Sequence, residues 1–289
     1  MSNTETFMNF LGHKTWYKVF GPNNKGIPLF VIHGGPGYPH NFQNNLSVLA
    51  DNGYPVVMYD QLGCGLSDRP KDLSLWTVSL YVDELEALRE LLEFDTINVV
   101  GQSWGGSLAL EYSLKYPERV NKLILHSPLI DTKLWVKEAE KLKDQLPDNL
   151  GSRMRQLEQS GDTSGKEYKK LSHLFNDTFV LRVKPKPQDA IDGENYAGLD
   201  VYHTMWGPSE AHCTGNLKDW SVIDRLPGIK QKTLLISGKY DEATPRQMEI
   251  VKNKVPDIRW ELFDNSSHCA NLEEPEKFMK VVSEFLKSK

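Results

Sequence analysis

Six short runs of branched and aromatic residues recur along the chain: Leu29 to Ile32, Val56 to Tyr59, Ile97 to Val100, Lys122 to Leu125, Thr233 to Ile236 and Arg259 to Phe263. Several lack the polar alternation of a half-exposed strand, which predicts strands buried on both faces in a mainly parallel sheet. Between the second and third runs, Val78, Tyr81, Val82, Leu85, Leu88 and Leu92 fall at helical spacing. Asp83, Glu84, Glu86 and Glu90 lie mostly on the other face, so this stretch reads as an amphipathic helix. Strand alternating with helix implies right-handed crossovers and a doubly wound α/β architecture, in which ligands collect at the carboxyl ends of the strands.

The alternation stops near Pro128 and resumes near Pro227. In between come a charged helical pattern from Thr132 to Leu146, a polar stretch from Gln156 to Lys170 and a Pro-interrupted segment from Val183 to Pro187. The interval is far too long for a plain connection. It predicts a mostly helical cap, residues 129–226, lying as a lid over the strand ends of a core made from residues 1–128 and 227–289.

Composition narrows the class. With 289 residues, 39% hydrophobic and 25% charged, the chain reads as a globular protein with enough length for a sizeable core. Lys plus Arg is 34 against 39 for Asp plus Glu, a net charge of −5, and no basic run offers a phosphate-facing surface, so nucleic acid is not an expected partner. The start, MSNTETFMNF, lacks the basic-then-apolar pattern of a secretory signal. No stretch reaches the ~18 apolar residues of a membrane span. A cytoplasmic location and no membrane partner are expected. Cys64, Cys213 and Cys269 are widely spaced and odd in number, which suits free thiols rather than disulfides, and neither a structural metal nor a cofactor is expected.

The most specific signal is Gly101-Gln102-Ser103-Trp104-Gly105-Gly106, set between an apolar strand and the helical run Ser107 to Tyr116. That context is the one a nucleophile elbow demands: glycines allow a tight turn that exposes Ser103 Oγ, and the following helix favours negative charge beside it. A serine hydroxyl needs a base held by a third group, and in folds with this elbow the acid and then the histidine follow in sequence. Asp241 comes just after the run Thr233 to Ile236 and the turn Ser237-Gly238-Lys239-Tyr240. His268 comes after the last strand run, in the loop that begins Asp264-Asn265-Ser266-Ser267. Acyl transfer also needs donors for an oxyanion. The N–H of Trp104 is one candidate, and His33-Gly34-Gly35-Pro36-Gly37, directly after the first strand run, offers the N–H of Gly35 as the other.

Taken together, His33 to Gly37, Asp60-Gln61 with Gly63-Cys64-Gly65-Leu66-Ser67, Gly101 to Gly106, Gly238 to Glu242 and Ser267-His268 resemble the proline iminopeptidase (prolyl aminopeptidase) family of the α/β-hydrolase fold. The likeness runs through nearly the whole chain; Leu62 departs from it, standing where family members often carry arginine or phenylalanine. The resemblance implies a serine exopeptidase that releases an N-terminal residue, preferably proline, from short peptides, amides or arylamides. It also implies acidic groups that receive the substrate's free amine, here Glu210 in the segment Gly207-Pro208-Ser209-Glu210, and Glu242. A protonated amine under a lid must meet a carboxylate, because its unpaired burial costs several kcal/mol. Trp104, Trp206 and Tyr240 are candidates to wall an apolar pocket for the pyrrolidine ring. An amidase or esterase on the same triad, and a noncatalytic receptor on a hydrolase fold, are the alternatives at this point.

Overall fold

The computed structural model describes residues 3–288. An eight-stranded sheet runs β1 (Thr4–Phe10), β2 (His13–Phe20), β3 (Leu29–Ile32), β4 (Val56–Tyr59), β5 (Ile97–Gln102), β6 (Val120–His126), β7 (Lys232–Gly238) and β8 (Ile258–Phe263) along the chain. Its spatial order is β1-β2-β4-β3-β5-β6-β7-β8. β1 and β2 form an antiparallel hairpin joined antiparallel to β4, and the remaining pairs are parallel. The six predicted strands are therefore present, and the hairpin extends the sheet on one side.

Among the described residues ten α-helices accompany the strands: α1 (Val78–Leu91), α2 (Trp104–Lys115), α3 (Thr132–Lys143), α4 (Leu150–Ser160), α5 (Lys166–Phe179), α6 (Gln188–Asn195), α7 (Leu199–Met205), α8 (Pro245–Lys254), α9 (Ala270–Glu273) and α10 (Pro275–Lys287). Alternate strand residues face opposite sides of the sheet. Phe30, Ile32, Val57, Tyr59 and Val99 pack with Leu85, Leu88, Leu108 and Met248 of α1, α2 and α8. Leu29, Val31, Val56, Met58 and Val100 pack with Phe278, Val282 and Phe285 of α10 and with Leu46 and Leu49 of the 3₁₀ segment His40–Asn52. Both faces are covered, which explains the unbroken apolar runs.

The segment between β6 and β7 carries α3 to α7. An antiparallel bridge between Asp131 and Ser221 ties its two stems at the base. The stretch read as polar, Gln156 to Lys170, is not an irregular connection: it comprises the end of α4, a short turn and the start of α5. Met154, Leu157, Tyr168, Leu171, Phe175 and Phe179 lie on the inner faces of these two helices and form a small core with Ala139 and Leu142 of α3.

The site follows from the topology. After β3 the chain crosses to β4 on one side, whereas β5 lies on the other, which makes β3/β5 a switch point with an open crevice at its carboxyl ends. Ile32 pairs with Gly101, so the loop after β3 and the turn after β5 leave the sheet side by side.

Candidate active site

Ser103 sits on a strained turn with φ 56° and ψ −120°, a region that costs a non-glycine residue about 1–3 kcal/mol. The surroundings enforce it. Its N–H donates to the carbonyl of His126 (2.9 Å), and its carbonyl accepts from Gly106, Ser107 and Leu129 (2.9, 3.1 and 3.2 Å). A Cβ on Gly101 would stand 2.1 Å from the carbonyl oxygen of Gly105, and one on Gly105 would stand 2.3 Å from that of Ile32, so only glycine fits either flank. Trp104 opens α2, and a helix's first N–H groups have no partner upstream in the helix.

His268 and Asp241 come together as the register of β7 and β8 dictates: Gly238 pairs with Phe263, and each loop continues only a few residues further. His268 Nδ1 lies 2.8 Å from Asp241 Oδ1, and both residues are buried. The Asp241 carboxylate also accepts from Ser127 Oγ (2.5 Å) and the N–H groups of Ala243 (2.7 Å) and Gly238 (3.3 Å). Such a donor set fixes the orientation of the carboxylate. Ser127 carried no motif; its place directly after β6, beside β7, is the only sequence signal for it.

Ser103 and His268 face one cavity of about 710 Å³, counting its open mouth, with Gly34, Gly35, Glu210 and Glu242 also on its wall. Glu242 is 1% exposed, and neither of its carboxyl oxygens has a hydrogen-bond partner among the described residues. Its Oε1 lies 3.9 Å from His268 Nε2. Burial, then the neighbouring Glu210 and Asp241, pushes its carboxyl well above the ordinary carboxylate range. Glu210 accepts a hydrogen bond from Tyr202 OH (2.8 Å) and is likewise pushed up by enclosure, against the opposing pull of that bond and of His268. Both acids face the one cavity, and a cation entering it meets both.

The segment between β6 and β7 is bonded to the loops of Asp241 and His268. The carbonyl of Phe179, at the end of α5, accepts from the N–H groups of both Glu242 and His268 (3.3 Å each), and that of Val180 accepts from Cys269 (3.1 Å). Gln102 beside the nucleophile donates to the His268 carbonyl (3.1 Å).

The aromatic residues are arranged otherwise than expected. Tyr240 is 44% exposed, under the Arg182 guanidinium at 4.1 Å from its ring centre, and is off the cavity wall. Trp206 packs edge-on against Trp135 and donates to the Ser209 carbonyl (2.9 Å), supporting the loop of Glu210 rather than lining the cavity. The Trp104 side chain turns away to Gln61 Oε1 (2.9 Å). The apolar wall comes instead from Tyr38, Phe42, Val180 and Leu181, with Cys269 beside them. These residues follow the glycine loop or end α5, and adjacency to those elements is the only sequence signal they carry. Among the described residues, no cluster of three or more His, Cys, Asp or Glu side chains could hold a metal ion.

A buried Asp–His pair, a serine on a strained strand-to-helix turn and a glycine loop share the carboxyl edge of a mostly parallel sheet. These features define an α/β hydrolase, and the alpha/beta hydrolase fold family model matches residues 27–275. The chain is 35% identical over 286 residues to the proline iminopeptidase of Heyndrickxia coagulans, covering 99% of each chain. The crystal structure of proline iminopeptidase from Mycobacterium smegmatis is 39% identical with a TM-score of 0.90, over 98% of this chain and 97% of that one. The crystal structure of VinJ is 36% identical with a TM-score of 0.94, over 98% of each chain. The chain belongs to the proline iminopeptidase family.

Proposed function

We propose that the protein is a serine exopeptidase that releases an N-terminal residue, preferably proline, from short peptides, amides or arylamides. Ser103 Oγ attacks the scissile carbonyl as His268 takes its proton, and Asp241 holds the imidazole and stabilises its charged form. The N–H groups of Gly35 and Trp104 receive the oxyanion. His268 then returns the proton to the leaving amine; water, giving a proton to His268, next attacks the acyl carbonyl, and as the acyl–Oγ bond breaks His268 returns that proton to Ser103 Oγ.

The observation that carries this reading is the pair Glu210 and Glu242 on the same cavity wall as Ser103 and His268, with Glu242 buried and neither of its carboxyl oxygens hydrogen-bonded among the described residues. A buried acid without a donor is costly, and a cation that brings N–H donors relieves that cost. The substrate's terminal ammonium is such a cation. The names of the full-length relatives support the preference for proline. Residues 129–226 act as the cap that closes over the amine end and limits entry to short peptides. Among the described residues no helix is long and apolar enough to cross a membrane, and the three free cysteines suit the reducing cytoplasm.

A steady-state panel of aminoacyl arylamides, with N-acetylprolyl arylamide and a short acyl ester alongside, tests the proposal. Prolyl arylamide is expected to have the highest kcat/KM. An advantage for the ester, with no gain from a free amine, favours an esterase instead.

A further inference from the structure

His33 ends the run from β3 into the glycine loop and is 1% exposed. Gly34 and Gly35 face the cavity, whereas the His33 ring lies behind them. Its two nitrogens meet groups of opposite character. Nε2 receives the backbone N–H of Gln61 at 2.9 Å, a group that can only donate. Nδ1 lies 3.0 Å from the carbonyl oxygen of Gly34, a group that can only accept, and this contact is closer than the 3.4 Å to the Gln61 side-chain amide nitrogen. The tautomer is thereby set, with the proton on Nδ1. Burial pushes the imidazole down to about 4, so the ring keeps this neutral form near neutral pH.

The carbonyl of Gly34 and the N–H of Gly35 are opposite ends of one planar trans peptide unit. A carbonyl held on the imidazole therefore turns the Gly35 N–H away from the ring. Ser103 is close to this peptide unit: a Cβ on Gly34 would stand 3.5 Å from Ser103 Cβ. Gly35 itself has φ +120°, and a Cβ there would stand 2.4 Å from the Gly37 nitrogen, so no other residue could present this N–H in this way. Gln61 links both halves of the hole. Its N–H holds His33, and its Oε1 accepts from the Trp104 indole (2.9 Å), while the Trp104 backbone N–H is the second proposed donor.

We infer that His33 is a positioning residue for the oxyanion: its Nδ1–H fixes the Gly34–Gly35 peptide plane so that the Gly35 N–H faces the developing charge. The inference rests on the proposed role of Gly35. It also gives the three replacements of His33 distinct fates. His33→Asn keeps a donor near the place of Nδ1. His33→Gln puts its amide near the place of Nε2 and leaves the Gly34 carbonyl unheld, and His33→Leu holds neither group.

The test measures kcat and KM for prolyl arylamide, and the affinities for L-proline and for prolinal. Ser103 Oγ–H adds across the aldehyde of prolinal with no leaving group, forming a hemiacetal whose oxygen sits in the hole. Removing a whole oxyanion donor costs about 10²–10³ in kcat, so a misaimed donor is expected to cost about 10- to 100-fold. His33→Leu and His33→Gln should lose that much in kcat and in prolinal affinity, with KM and L-proline affinity changed less than about threefold. His33→Asn should recover most of the loss. The inference is overturned if His33→Gln retains wild-type kcat, if its loss lies in KM and L-proline affinity, or if His33→Asn is no better than His33→Gln. Should His33→Leu fail to fold, the comparison of Asn with Gln still decides. Should wild type spare prolyl arylamide, the exopeptidase reading fails by itself, and kcat for a short acyl ester tests His33 on the same hole.

Discussion

Replacing Glu242 by glutamine removes an ionisable group while keeping the side chain's size, in a place where neither carboxyl oxygen accepts a hydrogen bond among the described residues. The carboxyl is 1% exposed and both oxygens lack hydrogen-bond donors. The loss is therefore expected only when a cationic substrate arrives. Truncating one member of a buried, hydrogen-bonded charge pair costs about 2–5 kcal/mol, part of it from the partner left unpaired. At about 1.4 kcal/mol per tenfold, the full range is roughly 30- to 4,000-fold in kcat/KM. Because Glu210 remains on the cavity wall, the lower part, about 30- to 300-fold, is expected for each of Glu242→Gln and Glu210→Gln. The assay measures kcat/KM for prolyl and N-acetylprolyl arylamide with wild type and each variant. The acetylated compound brings no charge, so it should be poor with wild type and little affected by either change. The preference for the free amine should shrink by the factor lost from the prolyl substrate. Thermal melting controls for unfolding: burial already disfavours the ionised Glu242, so the glutamine variant should melt no lower than wild type near neutral pH. An unchanged ratio in both variants would refute the reasoning and leave the two acids without a part in amine recognition.

Asp241→Asn should lower kcat by about 10⁴, because the amide favours the wrong imidazole tautomer, and steady-state rates at saturating prolyl arylamide check this. Glu84 supplies a test on stability. It lies beneath the loop after β4, accepting from Thr15 Oγ1 (2.5 Å) and the Leu62 N–H (3.1 Å), and burial pushes it up to about 8 against its ordinary 4.5. Between those values the unfolded chain gives up the proton while the folded chain keeps it, so this group's contribution to stability falls as pH rises. Melting curves from about pH 5 to about pH 8 should show a steeper decline for wild type than for Glu84→Gln. Parallel curves would contradict the assignment.

The central strands were legible because each is covered on both faces and so appears as an apolar run with no polar interruption; Leu29–Ile32 and Val56–Tyr59 are fully buried along their length. β1 and β2 were not, for the same physical reason reversed. β1 is an edge strand with five exposed positions, and β2 interrupts its apolar residues with Lys14 and Lys18. In the cap, α4 and α5 bury only a narrow stripe against each other, so their polar faces dominate the sequence. The turn at Ser103 and the places of Asp241 and His268 could be read because a tight turn needs glycine and both residues follow apolar strand runs. The cavity wall could not. Tyr38 and Phe42 reach it from the glycine loop and the 3₁₀ segment after it, Val180 and Leu181 from directly after α5, and nothing in their local pattern separates them from ordinary apolar residues. Trp206 and Tyr240 attracted attention as aromatics beside the acids, yet adjacency in the chain puts one in a supporting layer and the other at the surface.

The most direct measurement is the release of free proline from a prolyl arylamide by wild type and by Ser103→Ala, purified in parallel and matched by melting temperature. The account predicts steady turnover by wild type and a fall of about 10⁶ in the variant, since losing the nucleophile removes the covalent route while the small side chain leaves the fold intact. Turnover by Ser103→Ala near the wild-type rate, or none by wild type on any substrate with a free N-terminal proline, would contradict it.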